Sequence, residues 1–157
     1  MKTNDLRALQ ALRQLREQRA SSQLVAQQQR CRDTSAALDD AKETLRLHRE
    51  ALAREAERVY GSISEGVTVK AWQAAQDHLN ALCEGQQQLE VSVSEAALTL
   101  EAHERDREIF RVAHVARHRQ AEACGSLLDR RARHERRADE HRLEADDIPR
   151  TGLGAGA

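Results

Sequence analysis

The chain has 157 residues, 32% of them charged and only 2% aromatic, with one proline and a formal net charge of −1. That length allows one or two ordinary domains, but a compact core of this size normally uses several aromatic side chains, and here there is one Phe, one Tyr and one Trp. Near-zero net charge excludes the overall basic signature of a nucleic-acid binder, and the abundance of Ala, Leu, Gln, Glu and Arg points to an all-α chain.

The opening segment, MKTNDLRALQ, has no apolar h-region of a signal peptide. No apolar run approaches the roughly 20 residues needed to span a bilayer, so the expectation is a cytoplasmic protein without direct membrane insertion. Thr3 or Asn4 is the expected N-cap of a first helix running from about residue 4 to about 60, with Asp5 favourable near its positive end. From Leu24 an apolar residue recurs every seven positions, through Cys31, Leu38, Leu45 and Leu52 to Val59. Six consecutive heptad positions predict a coiled-coil seam. The second seam is more polar, with Gln27, Thr34, Ala41, His48 and Glu55. Before it, Leu6, Leu9, Leu12 and Leu15 stand three apart, which leaves this end apolar on more than one side.

The stretch GSISEG, residues 61–66, holds two glycines and two serines and predicts a turn over 61–68, with Thr68 capping a second helix from about 69 to 147. That helix keeps the seven-residue frame in Trp72, Leu79, Gln86, Val93 and Leu100, with Ala75, Leu82, Leu89 and Ala96 beside it. Beyond Leu100 the frame meets His103, Arg107, Phe110, His114, Arg117, Ala121, Cys124 and Leu128, so the apolar seam is expected to decay. Pro149 ends the pattern, and residues 148–157 read as a flexible tail. The whole predicts a long antiparallel two-helix coiled-coil hairpin, one domain over 1–147. In it residue i faces roughly residue 129 − i, and about 25 helical residues overhang. A two-helix hairpin with this polar a seam predicts marginal stability alone and support from a partner or from a self-associated dimer.

Charge is unevenly spread. Residues 1–32 carry seven Lys or Arg against two acids, and residues 61–101 carry one Lys against six acids. Cys31, Cys83 and Cys124 form no CxxC pair and no disulfide framework.

His114 and His118, four apart, share a helix face as metal-ligating pairs do, but no third ligand is evident, so a solvated or seam role is the expectation and no metal or cofactor is called for. No phosphate-binding loop or nucleophile motif occurs, and the carboxylates have no cleft, so no enzyme is expected. The stretch DRRARHERRADEHR, residues 129–142, holds six Arg among four acids. Without aromatic platforms it reads as a solvated helix laced with i,i+4 pairs such as Asp129 with Arg133, not as a nucleic-acid site. Trp72, beside the turn, is expected to plug the hairpin end against Val59 or Leu52 and to meet Tyr60.

LRALQALRQLREQRA at the start, VKAWQAAQDHLNALCEGQQQLE after the turn, and HRQAEACGSLLDRRARHERRADEH later together resemble the YscO family of type III secretion proteins and its flagellar counterpart FliJ. The resemblance covers nearly the whole chain and rests most on the Trp72-Gln73 pair and on the charged segment that begins at Leu127. It implies a stalk-like hairpin, peripherally associated with the inner-membrane export apparatus. Such a stalk binds the hexameric secretion ATPase and the cytoplasmic domain of the export gate, and it also contacts secretion chaperones. On this reading the apolar, arginine-rich terminal end meets the ATPase through Leu6, Arg7, Leu9, Leu12, Arg13 and Arg16, with Arg130, Arg131 and Arg133. The turn end meets the gate through Leu52, Val59, Tyr60, Trp72 and Leu79. The rival readings are a homodimeric structural coiled-coil adaptor and a holdase-type chaperone.

Overall fold

The computed structural model describes residues 2–147; the tail read at 148–157, with Pro149, lies outside the described residues. Two helices account for the fold, α1 over Thr3–Ile63 and α2 over Val69–Asp146, packed as the antiparallel helical hairpin that the heptads predict. Packing between them sorts the chain into two units. A terminal unit joins Met1–Ser22 to Arg111–Ala157, and a turn unit spans Gln23–Phe110.

In the turn unit the seven-residue seam is the core. Cys31, Leu38, Leu45 and Val59 of α1 are buried, as is Leu79 of α2, while Leu24, Leu52, Trp72, Val93 and Leu100 are half-buried. The polar seam positions are satisfied across the helix pair. Gln27, only 2% exposed, donates from Nε2 to the His103 carbonyl at 2.9 Å. The Thr34 hydroxyl donates to the Arg30 carbonyl at 2.8 Å and meets His103 Nδ1 at 2.8 Å. Its single proton being committed, Thr34 accepts there, so Nδ1 carries the imidazole hydrogen. His48 Nε2 lies 2.8 Å from the Leu82 carbonyl and therefore donates to it. Gly85 lies against that ring: a Cβ there would stand 3.3 Å from His48 Cε1.

In the terminal unit the buried apolar residues are Leu6, Ala20, Ala121 and Cys124. The seam does not simply decay after Leu100. Arg107 and Arg117 are exposed, but Ala121 and Cys124 return to the core, and Cys124 is 1% exposed. Small side chains at these positions keep the seam closed where larger ones are absent. All three cysteines are free, with Cys83 exposed.

Two local expectations are corrected. Helix α1 does not stop at Tyr60 but takes in Gly61, Ser62 and Ile63. Serine hydroxyls hold its end: Ser62 donates to the Val59 carbonyl at 2.8 Å and Ser64 to the Gly61 carbonyl at 2.7 Å. The chain leaves the helix through Gly66, whose φ of +86° is the left-handed conformation that ends many helices. At the other end Thr3 is already helical, and its hydroxyl donates to Glu135 at 2.6 Å. The cap is made by the Asp5 carboxylate, which accepts from the Lys2 backbone N–H at 3.0 Å.

The register agrees with the expectation in the turn unit and departs from it toward the termini. Gln27 meets His103 and His48 meets Leu82, pairs whose numbers sum to 130, while Glu17 meets His118 and Thr3 meets Glu135, summing to 135 and 138. The expected 129 holds to within one in the turn unit and is six and nine short at the two terminal pairs. With Thr3 tied to Glu135, only the eleven residues 136–146 of α2 run past that contact, fewer than the sequence suggested. Thr68 does cap α2 as expected, its hydroxyl accepting from the Ala71 N–H at 3.3 Å.

Candidate functional site

The turn end is built by the exit from α1 and the entry to α2. Val59, 1% exposed, and Leu79, 7% exposed, lie inside the seam, so of the five residues assigned to this end these two hold it together. Leu52 and Trp72 are half-buried, and Tyr60 is 58% exposed. The Tyr60 and Trp72 rings meet in a tilted contact, centroids 6.5 Å apart at 55°, so the indole both covers the seam and forms half of a surface pair. Around them Ile63, Val67 and Val69 are all exposed. The sequence reading missed these three because GSISEGVTV looks like a polar loop. The usable signal was that apolar residues in and beside a tight turn have no core to enter.

At the terminal end the assigned residues split into three groups. Leu6 is buried and Leu9 half-buried, while Leu12 is exposed, together with its neighbour Leu15. Arg13 spans the helix pair, donating to the Gln120 carbonyl at 3.0 Å, and Arg131 pairs with Glu135 at 3.4 Å. Glu135 is held below the ordinary carboxylate range by the Thr3 hydroxyl first and by Arg131 and Arg7 after it. Arg16, Arg130 and Arg133 make no ion pair or hydrogen bond among the described residues. No ion pair joins Asp129 to Arg133. The lacing of this stretch runs instead from Arg131 to Glu135 and from Arg142 to Asp139, the latter at 3.5 Å.

His118 lies between two carboxylates. Its Nδ1 is 2.5 Å from Glu17 of α1 and its Nε2 3.3 Å from Glu122 of α2. The Glu17 hydrogen bond, with the Glu122 charge behind it, raises its pKa above the ordinary histidine value. His114 stacks on it, centroids 6.3 Å apart at 28°. Among the described residues no group of three His, Cys, Asp or Glu side chains is placed to hold a metal ion. No helix among the described residues is long and apolar enough to cross a membrane.

Charge separates the two units. Counted from the sequence, the terminal unit carries 15 Lys or Arg against 10 Asp or Glu, net +5, and the turn unit carries 10 against 16, net −6. Within α2, residues 71–104 contain no Lys or Arg at all. Compared with protein-family models, curated proteins and solved structures, the chain matches none.

Proposed function

We propose that this chain is a stalk-type component of a type III secretion export apparatus, similar to YscO and FliJ. Its terminal unit binds the hexameric secretion ATPase, its turn end binds the cytoplasmic domain of the export gate, and secretion chaperones are further partners. It acts by binding, at the cytoplasmic face of the inner membrane, and ATP is hydrolysed on the partner ring.

The observation that carries this reading is the contrast between the two ends of the hairpin. The terminal unit is basic and leaves Leu12, Arg16, Arg130 and Arg133 exposed. The turn presents Tyr60, Ile63, Val67 and Val69 in an acidic unit. Two unlike surfaces fit two unlike partners, and steering by opposite charge favours a different partner at each. A single hairpin inside a six-fold ring makes different contacts with each subunit, which biases their nucleotide states in turn.

The test is co-purification with the secretion ATPase, with ATP turnover measured with and without this chain. Arg16→Glu combined with Arg133→Glu removes two exposed cations that hold nothing within the hairpin. It is expected to weaken ATPase binding at least tenfold in moderate salt and to leave helicity unchanged. Binding and turnover that ignore this double change sink the assignment of the terminal end. No binding by the folded wild type leaves a structural coiled-coil adaptor as the better account.

A further inference from the structure

The outward side of α2 carries unpaired charge in both units, and the spacings are mirror images. In the turn unit Asp77, Glu84 and Glu95 are separated by seven and then eleven residues. In the terminal unit Arg119, Arg130 and Arg137 are separated by eleven and then seven. Eighteen residues make five turns of an α-helix, so each trio stands on one helix face. All six side chains are exposed, and none of them is in an ion pair or a side-chain hydrogen bond among the described residues. Both faces point away from the seam that holds α1, where Leu79, Ala121 and Cys124 are buried.

Reversed order is what antiparallel pairing of two helices requires. Laid antiparallel, Asp77 falls against Arg137, Glu84 against Arg130 and Glu95 against Arg119 in a single register. That register also sets the exposed Val91 against Ala123 and Leu98 against Ala116. Each pair therefore brings a large apolar side chain to a small one, while three opposite charges line up.

We infer that the acidic outward face of α2 in the turn unit docks the basic outward face of α2 in the terminal unit of a second copy of this chain. The contact is weak and salt-sensitive, because exposed ion pairs contribute little each and are screened. It covers Arg130, so copies that hold one another compete with any acidic partner of the terminal unit. The inference stands independently of the secretion reading.

The test uses two charge-reversed proteins. One carries Glu84→Arg with Glu95→Arg, the other Arg119→Glu with Arg130→Glu. Each presents like charge on both faces, so each is expected to sediment as a monomer at concentrations where the wild type associates. Mixed one to one, they should associate again. Wild-type association should weaken at least tenfold between about 50 and about 500 mM NaCl. The inference is overturned by a wild type that stays monomeric to about 200 μM in low salt, by association that survives either reversal alone, or by a mixture that does not associate. Circular dichroism checks that each variant is helical. Should a double change unfold the chain, the single pair Glu84→Arg and Arg130→Glu applies the same mixing test.

Discussion

The turn unit and the terminal unit solve one packing problem with different side chains. In the turn unit the buried positions are Cys31, Leu38, Leu45, Val59 and Leu79, so most of the burial comes from large aliphatic residues at heptad spacing. In the terminal unit, apart from Leu6, they are Ala20, Ala121 and Cys124. Burial contributes roughly 25 cal/mol per Å² of apolar surface, so the turn unit gains more per helical turn. Polar ties cross the pair in both units; those of the terminal unit are Thr3 to Glu135, Arg13 to the Gln120 carbonyl, and Glu17 to His118. Such exposed ties add little stability each, but they fix alignment. The hydrophobic seam is therefore the stable part, and the terminal unit is the part suited to rearrange on a partner.

The sharpest way to break this contrast is a buried charge. Val59→Asp should cost about 3 kcal/mol or more, because the carboxylate loses its water with no partner in reach. The same change at Leu12, 43% exposed, should stay within about 0.5 kcal/mol. Urea unfolding of both variants decides it, and similar losses would mean that the seam is not the stable part.

A finer comparison sets two helical glycines side by side. A Cβ at Gly61 meets nothing within 4 Å, so Gly61→Ala should stabilise α1 by about 0.5–1 kcal/mol. Gly85→Ala should show no such gain, because its methyl would stand 3.3 Å from His48 Cε1 and disturb the bond to Leu82. Equal gains in melting temperature would show that His48 yields freely and that the contact is not tight.

The smallest effect expected is a pH dependence confined to the terminal unit. Folding raises the pKa of His118 above the unfolded value of 6.5. Its contribution is therefore fully present below about pH 6.5 and is lost as pH rises through the higher folded value. Relative to His118→Gln, the wild type should lose part of its advantage as pH rises above about 6.5. A constant difference across that range would mean that Glu17 and Glu122 do not hold the charged imidazole.

Much of this was legible in the sequence because seven-residue recurrence reports burial directly: Cys31, Leu38, Leu45 and Val59 lie where the pattern puts them. Thr68 was legible because a capping hydroxyl acts locally. Register was legible in the turn unit, where the paired numbers sum to 130 against the expected 129, but not in the terminal unit, since periodicity says which face is buried but not which residue stands opposite. Gly85 was illegible for the same reason, as its value depends on His48, 37 positions away. The candidate ends were read as lists of residues, and the fold turned some of them inward. Leu6, Val59 and Leu79 support the surfaces that Leu12, Arg16, Tyr60 and Ile63 present.

The cation-free stretch of α2 also decides how this protein can be mapped in an assembly. Trypsin finds no cleavage site between Lys70 and Arg105, so the single Trp and Cys83 leave together in one peptide over residues 71–105. Amine-reactive cross-linkers can attach to side chains only at Lys2, Lys42 and Lys70, and they find none between Asp77 and Glu95. Carboxylate-directed reagents, which find Asp77, Glu84 and Glu95 there, are the ones that will report whatever docks on it.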